Sequence, residues 1–227
     1  MYWQETKETD RYIIPDDIVD VVYNIQCRCL PVDHAYALSQ AVGQALPWFM
    51  EEEQAGLHTI HVAESGNGWM RPDQADALLH LSRRTRLTLR LPKHRVDEAG
   101  KLTGQTLDVS GNSLQVERST VKPLSTITTV FARYIVSRDG EDENAFLQET
   151  MSRLNEMGIQ PKKMLCGMER IITTPERAIH TRSLMLADLA VEEAVTLQQQ
   201  GLGADRKLGC GLFIPHKGIA AVRQVLD

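Results

Sequence analysis

Apolar and polar positions alternate from Val21 to Cys29, with Val21, Tyr23, Ile25, Cys27 and Cys29 on one side and Val22, Asn24, Gln26 and Arg28 on the other. A period of two marks a half-buried strand, and Pro31 ends it. Asp33 then offers an N-cap, and Leu38, Val42, Ala45 and Leu46 recur at helical spacing up to Pro47. After an acidic loop, residues 57–63 read as a second strand, and the segment GNGWM reads as a turn into a short third. Pro72 and Asp73 open a helix carrying Ala75, Leu78, Leu79 and Leu81. Leu87, Leu89 and Leu91 then alternate with Arg86, Thr88 and Arg90 in a fourth strand that stops at Pro92. The order is β-α-β-β-α-β.

Residues 93–117 contain short apolar runs around Leu107 and Leu114, on either side of Gly111 and Asn112, and predict a hairpin insertion. The first pattern then repeats. Residues 127–136 are strand-like, residues 143–157 form an amphipathic helix closed by Gly158, and residues 164–172 and 183–186 give two further strands about the Thr174, Pro175 turn. A helix over 191–200 and a strand over 208–214 complete the set. Two such units predict an α+β protein of two tandem ferredoxin-like domains with antiparallel sheets. The first domain is expected over 1–118, including the insertion, and the second over 119–227.

Composition narrows the function. With 42% hydrophobic and 24% charged residues, and with no apolar run long enough for a bilayer span, the chain reads as soluble. The polar N-terminus lacks a signal-peptide pattern, so the expected address is cytoplasmic. The four cysteines, Cys27, Cys29, Cys166 and Cys210, lack zinc spacing and read as structural thiols, the first two sharing one side of a strand. A net charge of −5 disfavours indiscriminate coating of nucleic acid. It leaves room for a local basic surface, because Arg83, Arg84, Arg86, Arg90, Lys93 and Arg95 crowd one stretch. Arg86 and Arg90 fall on the strand face opposite the leucines and form a candidate phosphate-binding stripe, with Lys162 and Lys163 a weaker patch. Aromatic residues are only 5% of the chain, which argues against extensive base stacking.

The segment GLGADRKLGCG places Gly201, Gly203, Gly209 and Gly211 around Arg206 and Lys207. It lacks the Gly-Lys-Ser/Thr of a P-loop, and it runs from helix to strand, the reverse of a Rossmann fingerprint. Such glycines let a backbone approach a phosphate or another backbone closely. A loop GxGxxxxxGxG before the last strand of a second ferredoxin-like unit resembles the hallmark of the RAMP superfamily. The stretches LPVDHAYALSQAVGQALPW, ESGNGWMRP, LHLSRRTRLTLRLP, KPLSTITTVFARY, PKKMLCG and HTRSLMLADL further resemble the myxan-subtype branch of CRISPR repeat endoribonucleases. The likeness runs from about Asp17 to Val222.

That resemblance implies a nuclease that works without a metal or other cofactor and cuts a CRISPR repeat RNA, expected to be a stem-loop, once. The ribose 2′-OH attacks the adjacent phosphate, giving a 2′,3′-cyclic phosphate and a 5′-OH. Histidine suits the proton transfers at neutral pH, and Lys or Arg the phosphorane charge. By likeness to related nucleases His34, at the start of the first helix, is the candidate catalytic histidine, with Tyr36 and Lys207 as possible partners. Arg84, Arg86, Arg90, Lys93, Arg95, Arg206 and the four loop glycines are the expected RNA contacts. Among the other histidines His180 ranks next. His58 and His61, if both lie on a strand, point to opposite sides and do not share a ligand.

Other readings use the same fold. One is a non-catalytic RAMP subunit that holds guide RNA with other subunits of an effector complex. Another is a regulatory module whose glycine loop binds a small molecule. No membrane partner is expected.

Overall fold

In the computed structural model, which describes residues 12–62 and 77–216, the alternating segment forms β1 (Ile18–Gln26). Short β2 (Cys29–Pro31) leads into α1 (Ala35–Ala45), α2 (Pro47–Glu51) and β3 (Gly56–His58). β4 (Leu78–His80) and β5 (Arg86–Pro92) follow, then a helical stretch of two 3-10 turns around α3 (Val96–Ala99). β6 (Thr106–Val109) and β7 (Asn112–Lys122) close the first half. The second half comprises β8 (Val130–Val136), α4 (Glu143–Glu156), β9 (Lys163–Thr173), β10 (Ala178–Ala187), α5 (Val191–Gln200) and β11 (Phe213–Pro215).

Two antiparallel sheets carry the fold, in strand orders β3-β5-β1-β7-β6 and β11-β8-β10-β9. In each, the first strand lies centrally between the third and fourth, and the second lies beyond the third, which is ferredoxin-like topology. The chain thus has two tandem ferredoxin-like domains. The second follows the predicted order of elements, but its last strand is Phe213–Pro215 rather than 208–214, because Arg206–Leu208 form a 3-10 turn followed by Gly209 at φ +87°. Asp142 caps α4 through hydrogen bonds from the Asn144 and Ala145 amides, and Gly158, at φ +73°, turns the chain out of it.

The first domain assigns its parts differently from the pattern. Residues 78–80, expected on a helix, are strand β4, paired to β2 in a small separate sheet. The rest of that expected helix and the GNGWM strand lie outside the described residues. Arg86–Pro92 is therefore the third strand of the unit, and the short helical stretch after it stands where the second helix belongs. The predicted hairpin exists as β6–β7, but it is no insertion, because β7 pairs with β1 as the fourth strand. Since β7 runs on to Lys122, we place the domain junction beyond it, in residues 123–129, rather than at Ser119. The strand pattern also breaks after Gln26, so Cys27 and Cys29 do not share one strand. Asp33 is not the cap of α1: its carboxylate accepts the Thr173 amide, and His34 holds the N-cap position.

Each domain buries its own core. Leu87, Leu89 and Leu91 of β5 are fully enclosed beside Leu38, Val42 and Phe49, and Phe146, Leu154 and Leu197 cover Val130, Ala132, Leu184 and Leu186. At about 1.5–3 kcal/mol for each buried aliphatic or aromatic side chain, these clusters dominate the stability of their domains. Two smaller clusters cross between domains: Ala35 with Tyr134, Ile172, Ile179 and Cys210, and Ile18 with Leu124 and Val195. Burial pushes the Cys210 thiol up to about 12, so it packs as an inert apolar group. Among the described residues, no helix is long and apolar enough to cross a membrane.

Candidate functional site: the cleft between the domains

Arg90 shows how the two domains are joined. Pairing of β1 with β5 sets Asp20 opposite Arg90 on the sheet face turned away from the leucine core. That face was expected to meet RNA, but at Arg90 it meets the second domain. The guanidinium is 0% exposed and holds both Asp20 oxygens, Nε at 2.8 Å and Nη2 at 2.9 Å. Its Nη1 donates to the carbonyls of Gln198 on α5 and Phe213 on β11, at 3.0 and 2.6 Å. Burial opposes ionisation of Asp20, but the Arg90 charge wins and holds that carboxyl far below the usual carboxylate range. Arg90 is a joint between domains and not a phosphate ligand.

The same open face, beyond the joint, lines a cleft of about 360 Å³ shared by both domains. Asp20, Val22 and Thr88 form its floor, His58, Thr59 and His61 one wall, Arg86 and Lys122 the ends, and Arg133, Gly209, Leu212 and Ile214 the second domain's side. β3 ends at His58, so strand alternation does not govern residues 59–61, and both histidines line this one cleft, contrary to the expectation from HxxH spacing. His58 Nε2 lies 3.8 Å from Asp20 Oδ1, beyond hydrogen-bond reach. Burial, opposed by Asp20, lowers the His58 pKa and so favours the neutral ring. His61 is half-buried, with Nε2 2.8 Å from Thr59 Oγ1 and its ring tilted against that of Tyr134. Arg86 is exposed at the cleft mouth, anchored by Nη1 on the carbonyls of Arg83 and Thr85.

The glycine loop shapes this cleft from behind. Gly209 has φ +87°, and a Cβ there would stand 2.8 Å from Thr59 Cγ2 and 3.2 Å from the Leu57 carbonyl oxygen. Gly201 and Gly211 pack as tightly within the loop, Gly211 against the Leu202 carbonyl. The close approach allowed by these glycines is therefore to backbone and to the segment that carries His58 and His61. Gly203 is exposed at the loop's outer end.

The three residues expected to act together do not all line one cleft. His34 is 1% exposed: its Nδ1 donates to the Pro31 carbonyl at 2.8 Å, which leaves Nε2 to accept the Ile60 amide at 3.0 Å. Both ring nitrogens are held by backbone, so the buried ring has no free site for a substrate proton in this geometry. What His34 does is hold Ile60, and with it the 58–61 segment. Tyr36 and Lys207 line a different cleft, of about 560 Å³, between α1 and the glycine loop. Lys207 Nζ bonds the Glu52 and Ala55 carbonyls and lies 5.4 Å from the Phe49 ring centre. Burial lowers its pKa to about 8. Arg206 likewise serves the carbonyls of Gln54, Gln199 and Gln200.

The expected arginine stripe is dispersed as well. Arg84 is exposed beside Arg86, Lys93 pairs with Asp16, and Arg95 lies on a 3-10 turn between Glu52 and Glu98, over the Trp48 ring. The alternation that placed Arg86 correctly stops at Pro92. His180 does not line the cleft: it is paired to Glu169 at 2.6 Å, with Asp139 nearby. His61 was weighed from sequence only as half of a ligand pair with His58 and set aside, and Lys122 and Arg133 were not singled out, because Arg133 reaches the first domain's sheet face only when one domain docks on the other.

A family model described as Cas6 Crispr matches residues 19–218. The CRISPR-associated endonuclease Cas6 of Myxococcus xanthus (strain DK1622) is 28% identical over 205 residues, covering 90% of this chain and 84% of the relative. Among solved structures, a CRISPR associated protein Cas6 superposes with a TM-score of 0.60 at 9% identity, covering 88% of this chain and 100% of the other. A Cas6-related protein from Pyrococcus furiosus gives 0.56 at 12%, with 86% and 97% covered. A RAMP protein binding different RNA substrates also gives 0.56, at 14%, with 88% and 100% covered. At these identities the structural likenesses establish the fold.

Proposed function

The chain belongs to the Cas6 family, and from that premise we propose that it is an endoribonuclease that binds CRISPR repeat RNA in the interdomain cleft and cuts it there once per repeat. The observation that carries the reading is the convergence of Arg86, Lys122 and Arg133, beside His58 and His61, on one cleft whose single carboxylate among the described residues, Asp20, is already paired with Arg90, in a chain whose net charge is −5. A cationic cleft on an acidic protein favours a polyanion at one place only.

The chemistry needs no metal. The 2′-oxygen attacks phosphorus, the P–O5′ bond breaks, the 2′-OH proton leaves to a base and the departing 5′-oxygen gains a proton. His61 is the side chain we assign to proton transfer, since it lines the cleft with a ring whose ordinary pKa suits neutral pH. Arg86 and Arg133 face the phosphorane charge. His34 is a positioning residue, acting through the Ile60 amide.

Incubating the protein with its repeat RNA in excess chelator, followed by end-group analysis, tests the reading. The expected products carry 2′,3′-cyclic phosphate and 5′-OH ends. Intact RNA would favour the non-catalytic RNA-holding subunit, and cleavage abolished by the chelator would remove the metal-free mechanism.

A further inference from the structure

Among the described residues α4 and α5 cover one face of the second sheet, and the register gives a specific content to the part of the opposite face that lies beyond the α1 contact at Tyr134, Ile172 and Ile179. Ile214 on β11 stands opposite Phe131 on β8, Phe131 opposite Met185 on β10, and Met185 opposite Leu165 on β9. Their chain neighbours Val130, Ala132, Leu184 and Leu186 turn to the core under α4 and α5, so these four side chains share the open face. They form an apolar row across all four strands, about 14 Å long at ~4.8 Å per strand. Leu165 is 58% exposed, and Phe131, Met185 and Ile214 are partly exposed.

The row has one aromatic ring, and polar groups frame it. The Arg133 guanidinium lies 5.8 Å from the Phe131 ring centre, and the His216 ring lies 5.8 Å away at 53°. Arg133 and Ile214 also line the interdomain cleft, so the row begins where the cleft ends. We propose that Phe131 stacks one unpaired nucleotide of the RNA as it leaves the cleft, with Met185 and Leu165 extending the apolar floor and Arg133 at the phosphate. The proposal rests on the RNA-binding reading of the cleft and adds to it a single-stranded subsite. A row one side chain wide is narrow for a protein interface, which commonly takes about 800 Å² from each partner. It fits the face of a base, which any sequence presents.

Repeat hairpins with and without a single-stranded flank, the flank carrying 2-aminopurine at successive positions, provide the test. With wild type, fluorescence at one flank position is expected to be quenched on binding. Phe131→Leu, which keeps an apolar side chain but removes the ring, should abolish that quench. It should also weaken binding of the flanked RNA about tenfold, without affecting the hairpin alone. Phe131→Tyr should retain both. Phe131→Ala is the second variant, and matching melting temperatures exclude a folding defect. Equal quench and affinity in Phe131→Leu would overturn the subsite while leaving the cleft reading intact. The subsite is equally overturned if Phe131→Leu spares RNA binding and instead releases a co-purifying protein. Failure of wild type to bind either RNA would remove the reading on which the subsite rests.

Discussion

Replacing Arg90 by methionine separates the joint described above from the phosphate stripe that strand alternation suggests. The substitution keeps an apolar stem of similar length but strands the Asp20 carboxylate and two carbonyls, those of Gln198 and Phe213. Removing one member of a buried, hydrogen-bonded charge pair costs about 3–5 kcal/mol. Because the Asp20 side chain is 19% exposed, the lower end applies, about 3 kcal/mol. At roughly 2–4 °C per kcal/mol for chains of 150–250 residues, the melting temperature should fall by about 6–12 °C. Asp20→Asn in the same background should restore part of the loss by removing the stranded charge. Since the folded pKa of Asp20 lies below its unfolded value of about 3.9, the pair's contribution is complete above that pH and shrinks as pH falls through the folded value. The wild-type advantage over Arg90→Met should therefore narrow in acid. Calorimetry and urea titration over pH 3–7 measure both effects. A melting shift under about 2 °C with a reduced salt slope of RNA binding would refute the joint and restore the stripe.

Changing both Arg86 and Arg133 to alanine should reduce the slope of log K against log salt by about 1.4–1.8, at 0.7 per single-strand and 0.9 per duplex phosphate, as measured by filter binding. Gly209→Val sets a β-branched side chain at φ +87° with its Cβ against Thr59 and should slow cleavage and lower the melting temperature together. An unchanged variant would free the loop from any role in placing the histidines. Lys207, with a folded pKa of about 8 below its unfolded value of about 10.4, binds fewer protons folded than unfolded between those values. Stability relative to Lys207→Met should thus rise from pH 8 to pH 10, and a flat difference by urea titration would contradict the burial argument.

The second domain was legible in outline because each of its segments carries a strong period and a defined stop, such as Asp142 before α4 and Gly158 after it. The first domain was not, since Leu78, Leu79 and Leu81 suit a helix or a short buried strand equally well, and pairing with β2 decided the matter. Alternation correctly set Arg86 and Arg90 on one face, but a period says nothing about what covers a face. For Arg90 the cover is α5 and β11, more than one hundred residues away in sequence. His34 was legible as a residue at the helix start, while its engagement by Pro31 and Ile60 depends on where the chain returns. His61 was obscured because the rule applied to it assumed a strand that ends three residues earlier, at His58.

Single-turnover cleavage with His61→Ala and His34→Ala, both checked for folding, decides whether proton transfer belongs to the cleft wall or to the helix start. A positioned acid or base contributes about 10²–10⁴ in rate, so His61→Ala should slow cleavage at least about 100-fold, with RNA affinity changed less than about tenfold and the histidine limb of the pH–rate profile lost. His34→Ala should lower the rate through its hold on Ile60 while keeping that limb in place. A His61→Ala enzyme of normal rate, beside a His34→Ala enzyme that has lost both the rate and the limb, would contradict the account and return catalysis to the start of α1.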